Sequence, residues 1–132
     1  MIYTSGSTGQ PMGVAVTHGG LATYVASVPG RVGFGEPGGR YALLQAQATA
    51  LGNTEVFASL VTAGELHSLC EGAVTDPAAV PACLADHAID YVKAVPSHLV
   101  ALSAAGGLGG VLPGRSLVLG GEAASASWVR EL

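Results

Sequence analysis

At 132 residues, with 49% apolar content, the chain has the length of one domain or part of one and ample material for a core. Charged residues make up only 11%, well under the roughly 25–35% that suits a free-standing surface, which with 20 Gly and many Ala points to a high-GC coding source or to a piece whose surface is normally covered. A net charge of −4, with five basic residues scattered singly, excludes a nucleic-acid-binding stripe, and no apolar run reaches the ~20 residues of a membrane span.

In chain order, the first feature is Tyr3 to Val14, YTSGSTGQPMGV. Gly6, Gly9 and Gly13 free the backbone for close approach to a ligand, and the hydroxyls of Thr4, Ser5, Ser7 and Thr8 add donors there. Such a loop wraps phosphates or serves as a flexible linker, and composition alone does not separate the two. The order of residues weighs against a linker, because Ile2–Tyr3 leads in and Val14–Val16 leads out. A Walker loop is excluded by the missing Gly-Lys-Ser/Thr ending.

Val14–Thr17 reads as a short strand, and Gly20–Val28 has helical spacing that Pro29-Gly30 is expected to stop. Tyr41–Gln45 is a short apolar strand. Gly52-Asn53 reads as a turn, with Thr54 capping a helix over 55–62 and Glu55 in its first turn. A strand is expected over 65–69. Thr75-Asp76-Pro77 opens a helix to about His87, followed by a strand over 89–95. Pro96-Ser97 opens a helix through Ser103, Ser116–Leu119 is a strand, Gly120-Gly121 a turn, and Ser125–Leu132 a helix.

Strands alternating with helices predict an α/β fold with a mainly parallel sheet and flanking helices. Ligands of such sheets sit beyond the carboxyl ends of the strands. The loops after Tyr3 and Gln45, Lys93–Ser97 and Gly120–Glu122 are therefore the ones expected to carry a site.

The stretch YTSGSTGQPMGV resembles the phosphate-loop motif of the adenylate-forming superfamily, usually YTSGSTG-x-PKGV. It is most similar to the amino-acid adenylation domains of nonribosomal peptide synthetases. One residue departs from the pattern: the family's lysine is Met12 here. The resemblance runs over all 132 residues and implies an internal slice, truncated at both ends, of the large N-terminal subdomain. It implies ATP, Mg2+, an amino acid, and condensation and carrier domains as partners, the carrier bearing a phosphopantetheine thiol. Thr4, Ser5, Gly6, Ser7, Thr8 and Gly9 would meet phosphate, and Gly121, Glu122 and Ala123 would contact adenine. The family's Tyr-Gly-Pro-Thr-Glu segment, ribose aspartate and C-terminal lysine fall outside this sequence. The 132 residues alone are thus expected to be inactive, with no catalytic residue and no metal ligand assigned.

Lys93 is the only lysine, inside the run YVKAV. From the residues alone it is either a buried cation meeting an opposite charge or a strand lysine whose head reaches water. The resemblance implies a substrate pocket of Ala50, Leu51, Thr54, Lys93, Val118 and Gly120, a pattern similar to that for aspartate or asparagine. Ala50 stands where the family has the aspartate that pairs with the substrate ammonium. Two other readings remain beside this one. A degenerate, non-catalytic remnant would explain Met12 and Ala50, and an acyl-CoA synthetase fragment would explain the missing aspartate.

The other polar residues point to less. His18, His67, His87 and His98 are too far apart in sequence for a ligand pair and suit surface or capping roles, with His98 nearest the pocket strand. Cys70 and Cys83 lack metal spacing and read as reduced thiols. The N-terminus carries no signal-peptide pattern, and the protein is expected in the cytoplasm. Trp128 reads as a packing residue.

Overall fold

A computed structural model describes residues 1–5, 9–47 and 49–132. Gly6, Ser7 and Thr8, expected to bind phosphate, therefore lie outside the described residues.

The chain opens on an antiparallel hairpin, β1 (Ile2–Ser5) with β2 (Pro11–Val14), in register from Ile2 opposite Val14 to Ser5 opposite Pro11. Pairing with β1 places β2 earlier than the expected Val14–Thr17 strand. Thr17 instead caps α1 (His18–Arg31), its hydroxyl accepting from Gly20 N at 3.1 Å. The helix runs through Pro29 rather than stopping there. A proline so close to the helix end removes one hydrogen bond, while its carbonyl still accepts from Phe34 N at 2.8 Å.

Four parallel strands follow: β3 (Arg40–Leu43), β4 (Glu65–Ser68), β5 (Tyr91–Ala94) and β6 (Ser116–Leu119), in the order β4-β3-β5-β6. Between them run α2 (Ala50–Val61), α3 (Ala79–Asp86) and α4 (Pro96–Leu102), and α5 (Ala126–Val129) comes last. Alternation along the strands sorts two cores. Ala42, Leu44, Val92 and Ala94 face Val80 and Leu84 of α3 and Leu99 and Leu102 of α4, with Trp128 packed at the edge. Tyr41 and Tyr91 point the other way and pack with Phe34 and Ala58 under α2.

The start of α2 differs most from expectation. Thr49, not Thr54, is its cap, accepting from Gly52 N at 3.1 Å, so Gly52 and Asn53 are helical. Gly52 is required there by contact, since a Cβ would sit 2.6 Å from the Ala46 carbonyl oxygen. This longer helix turns Thr54 and Glu55 inward, where they are 1% and 0% exposed. Helix α3 starts later than expected, at Ala79 with Ala78 as its cap residue, and Asp76 sits in the turn before it, Oδ1 accepting from Ala78 N at 2.8 Å and Ala79 N at 3.3 Å.

Helices α2 and α3 end alike. Gly64 N reaches Ser59 O at 2.8 Å and Ile89 N reaches Leu84 O at 2.9 Å, each across an alanine in the left-handed region, Ala63 (φ 50°) and Ala88 (φ 45°). A Cβ is strained in that conformation, usually left to glycine. Ala88→Gly should therefore stabilise the chain by about 0.5–1 kcal/mol, read as a rise in the thermal midpoint.

Candidate functional site: a lysine at the sheet's switch point

Chain direction across the sheet reverses between β3 and β5, the point where open α/β sheets form a crevice. Here β3 and β5 pair only through Tyr41–Tyr91 and Ala42–Val92, whereas β4 and β6 pair with their neighbours over four residues. The strands part just beyond Val92, and the amide of Lys93 finds no β3 carbonyl. Glu55 fills that place from α2, its Oε1 accepting from Lys93 N at 2.6 Å. Burial pushes the Glu55 carboxyl up to about 8, against the opposing effects of the Lys93 amide and ammonium. Glu55 Oε2 is buried without a hydrogen-bond partner.

The head of Lys93 goes elsewhere. Nζ donates to Thr54 Oγ1 at 2.6 Å, and the same hydroxyl meets the Tyr24 phenol of α1 at 2.6 Å. Among the described residues no carboxylate lies within 4.0 Å of the ammonium. Burial lowers the Lys93 pKa, and Glu55 partly restores it. An ammonium carries three donors; one is used, and no described residue takes the other two.

Around this head the structure gathers most of the pocket residues named from the sequence. Val118 lies beside Lys93 in register on β6 and packs against the Phe34–Tyr41–Tyr91 cluster. Gly120 keeps the approach open, since a Cβ there would meet Leu51 Cδ1 at 3.4 Å and Lys93 Cε at 3.6 Å. Leu51, Thr54, Lys93, Val118 and Gly120 thus come together. Ala50 is exposed and is not drawn to the Lys93 head; it lines an adjoining open cavity of about 550 Å3 between the hairpin, α1 and α2, shared with Asn53, Phe57, His18 and Tyr24, the partner of the Thr54 hydroxyl.

Two further ties hold the loops at the strand ends. Glu122 Oε1 accepts from Ser97 N at 2.9 Å and from the Ser97 hydroxyl, which draws the Glu122 carboxyl below its ordinary value. The Gly121 (φ 90°) turn is thereby fixed to the start of α4, with Glu122 and Ala123 exposed. Gln45 Nε2 donates to His98 Nδ1 at 3.2 Å, and His98 Nε2–H donates to Val74 O at 2.6 Å. This pattern uses the neutral Nε2–H tautomer and makes His98 a brace between loops.

Thr4 and Gly9 stand on either side of Gly6, Ser7 and Thr8, which lie outside the described residues. Gly9 has φ 80°, and the Thr4 hydroxyl lies 3.5 Å from Met12 O. Met12 is exposed on β2. His67 and His87 stack at 4.5 Å, away from the crevice. No group of three His, Cys, Asp or Glu among the described residues suits a metal ion, and no helix there is long and apolar enough to cross a membrane.

Glu55 and Tyr24 were not singled out as site residues. From the sequence Glu55 reads as a first-turn acid, and Tyr24 lies in the helical run Gly20–Val28. One signal for Glu55 was present, because it is the only charge in ALGNTEVFASLV.

The family model for AMP-binding enzymes matches residues 1–132. The chain belongs to the AMP-binding enzyme family. This AMP-binding chain is 37% identical over 97 residues to surfactin synthase subunit 2 of Bacillus subtilis (strain 168), a match covering 74% of the chain and 3% of that protein. It is 33% identical over 131 residues to syringomycin synthase SyrB1 of Pseudomonas syringae pv. syringae, covering 98% of the chain and 21% of the relative. Its fold matches that of a four-domain nonribosomal peptide synthetase bound to AMP and glycine, with TM-score 0.81 and 20% identity over 98% of the chain and 9% of that structure. The AMP-binding chain therefore spans a small part of the relatives it matches and resembles their adenylation domains.

Proposed function

We propose that the chain forms the nucleotide- and side-chain-binding part of an amino-acid adenylation domain that selects aspartate or asparagine. In that reaction the amino-acid carboxylate attacks the α-phosphorus of ATP and pyrophosphate leaves. The aminoacyl group then passes to the phosphopantetheine thiol of a carrier protein, the acyl–phosphate bond breaking and AMP leaving. The observation that carries the side-chain preference is Lys93: a part-buried ammonium at the switch point, held by one hydrogen bond, with two donors left for a carboxylate or amide oxygen. Thr54 steers it, while Leu51, Val118 and Gly120 shape the space around it.

The donors flanking the hairpin turn suit phosphate, but they are neutral. ATP phosphates would meet the Thr4–Gly9 stretch, with the adenine against Gly121–Ala123. Mg2+ would supply positive charge to the phosphates, and no described residue is assigned to hold it. Met12→Lys should tighten ATP binding by about 1 kcal/mol, the modest gain of a partly exposed ion pair. Isothermal titration of both forms measures it.

Pyrophosphate exchange in a complete adenylation domain carrying these 132 residues tests the reading, with aspartate, asparagine, alanine and leucine as substrates. Preference for alanine or leucine overturns it. A second reading, a non-catalytic scaffold, is favoured by the uncharged Ala50 and Met12. No exchange with any of the four, restored by Ala50→Asp with Met12→Lys, would support that alternative.

A further inference from the structure

The Glu55 carboxyl is fully buried, occupies the gap between β3 and β5, and grips the backbone of Lys93 rather than its head. Its second oxygen has no partner. The Lys93 ammonium is the cation it faces and has no other described carboxylate within 4.0 Å. Two negative charges, one from Glu55 and one from an acidic ligand, would then compete for one part-buried cation in a poorly solvated place.

We propose that Glu55 is a positioning residue that gates acidic ligands by proton uptake. As a neutral acid it leaves Lys93 to a ligand carboxylate, and as a carboxylate it claims that charge and turns the ligand away. The inference rests on the reading of Lys93 as the side-chain receptor. Lys93 of β5 bonds Glu55 through its amide, Tyr24 of α1 meets Thr54 beside it on α2, and Tyr41 of β3 and Tyr91 of β5 pack with Ala58 of the same helix. Of these, only Lys93 is a cation. The raised carboxyl, ionising near 8, sets the direction: acidic ligands bind below that pH and are lost as it rises through it. A neutral amide ligand lacks the competing charge and should lose far less.

Lys93 is the only lysine, so its side-chain amine gives one unambiguous NMR signal in the 132-residue chain. Succinate is the probe for a carboxylate ligand and succinamide the neutral control. In the wild type, succinate should shift the Lys93 signal at pH 7, and the effect should fall by about tenfold in apparent affinity per pH unit above 8. In Glu55→Gln the midpoint of that loss should move to higher pH. A midpoint that stays put or moves lower would mean that Lys93 itself is titrating, and would overturn the role of Glu55. Where Glu55→Gln does not fold, the wild-type Glu55 carboxyl carbon answers instead: its titration midpoint should rise when succinate is added, and an unmoved midpoint overturns the proposal. Failure of succinate to move Lys93 at any pH overturns the underlying reading of the pocket. A succinate effect equal at pH 7 and well above 8 overturns the Glu55 gate alone. A pH profile of aspartate over asparagine turnover in the complete domain should fall above pH 8, and a flat profile counts against the gate in the same way.

Discussion

Lys93→Ala should cut aspartate activation by roughly two to three and a half powers of ten in kcat/KM. The substrate's side-chain carboxylate would enter a crevice whose only described cation is gone, and an unpaired buried charge costs about 3–5 kcal/mol. Alanine and leucine bring no side-chain charge and should change little. Asparagine should fall between, because an amide oxygen loses a hydrogen bond and not a charge partner. Lys93→Met, which keeps the stem beside Leu51 and Gly120, separates lost charge from lost volume. If aspartate is refused by Met and Ala alike, charge is responsible. Pyrophosphate exchange with each amino acid, in the complete domain with Ala50→Asp supplying the ammonium partner, gives these ratios. Equal loss for all four substrates would return Lys93 to the role of an ordinary strand residue.

The second large effect is on stability. Tyr91→Ala should cost about 3–5 kcal/mol, a large share of the 5–15 kcal/mol that holds a domain together. Tyr91 is 1% exposed, with its ring 5.2 Å from Phe34 and 4.7 Å from Tyr41, centroid to centroid. Gly39 lies so close that a Cβ there would overlap the Tyr91 ring, so the loop above the sheet is built against that ring. Removing the ring opens a cavity under α2, next to the residues that carry Lys93. Urea denaturation should show a much lower midpoint for Tyr91→Ala. Tyr91→Phe keeps the ring and should stay within about 1 kcal/mol of wild type.

The parallel sheet was legible because three of its strands, β3, β5 and β6, lie in mostly apolar runs bounded by turn residues, and Ser116–Leu119 coincides with its expected bounds. A helix start was legible where one side chain does the capping, as at Ser125, whereas α3 begins two residues beyond its expected first residue, Pro77. The start of α2 was not. Two threonines five residues apart, Thr49 and Thr54, each suit a cap, and Gly52-Asn53 between them looks like a turn. The helix is capped by Thr49, whose hydroxyl accepts from Gly52 N, and Gly52 packs against the Ala46 carbonyl where a Cβ would not fit. The same choice turned Glu55 inward. The pairing of Ile2–Ser5 with Pro11–Val14 was not legible, because alternation of apolar and polar residues is weak in both strands. The residues grouped about Lys93 were legible by resemblance. Their order in the sequence carries no trace of the Tyr24–Thr54–Lys93 chain of hydrogen bonds, which joins positions 30 and 39 residues apart.

That Glu55 holds the main chain of residue 93 has a consequence for how such a pocket changes. Every residue except proline offers the same N–H, so the anchor survives whatever side chain stands there. Position 93 then behaves as an interchangeable socket: the strand end keeps its place while the side chain facing the crevice is exchanged. A neutral replacement leaves Glu55 protonated with its bond intact, and an acidic one would meet it as a second negative charge. Drift at this position should therefore run freely among neutral and basic side chains and avoid aspartate and glutamate, which makes it a natural first site for retargeting the crevice to another ligand.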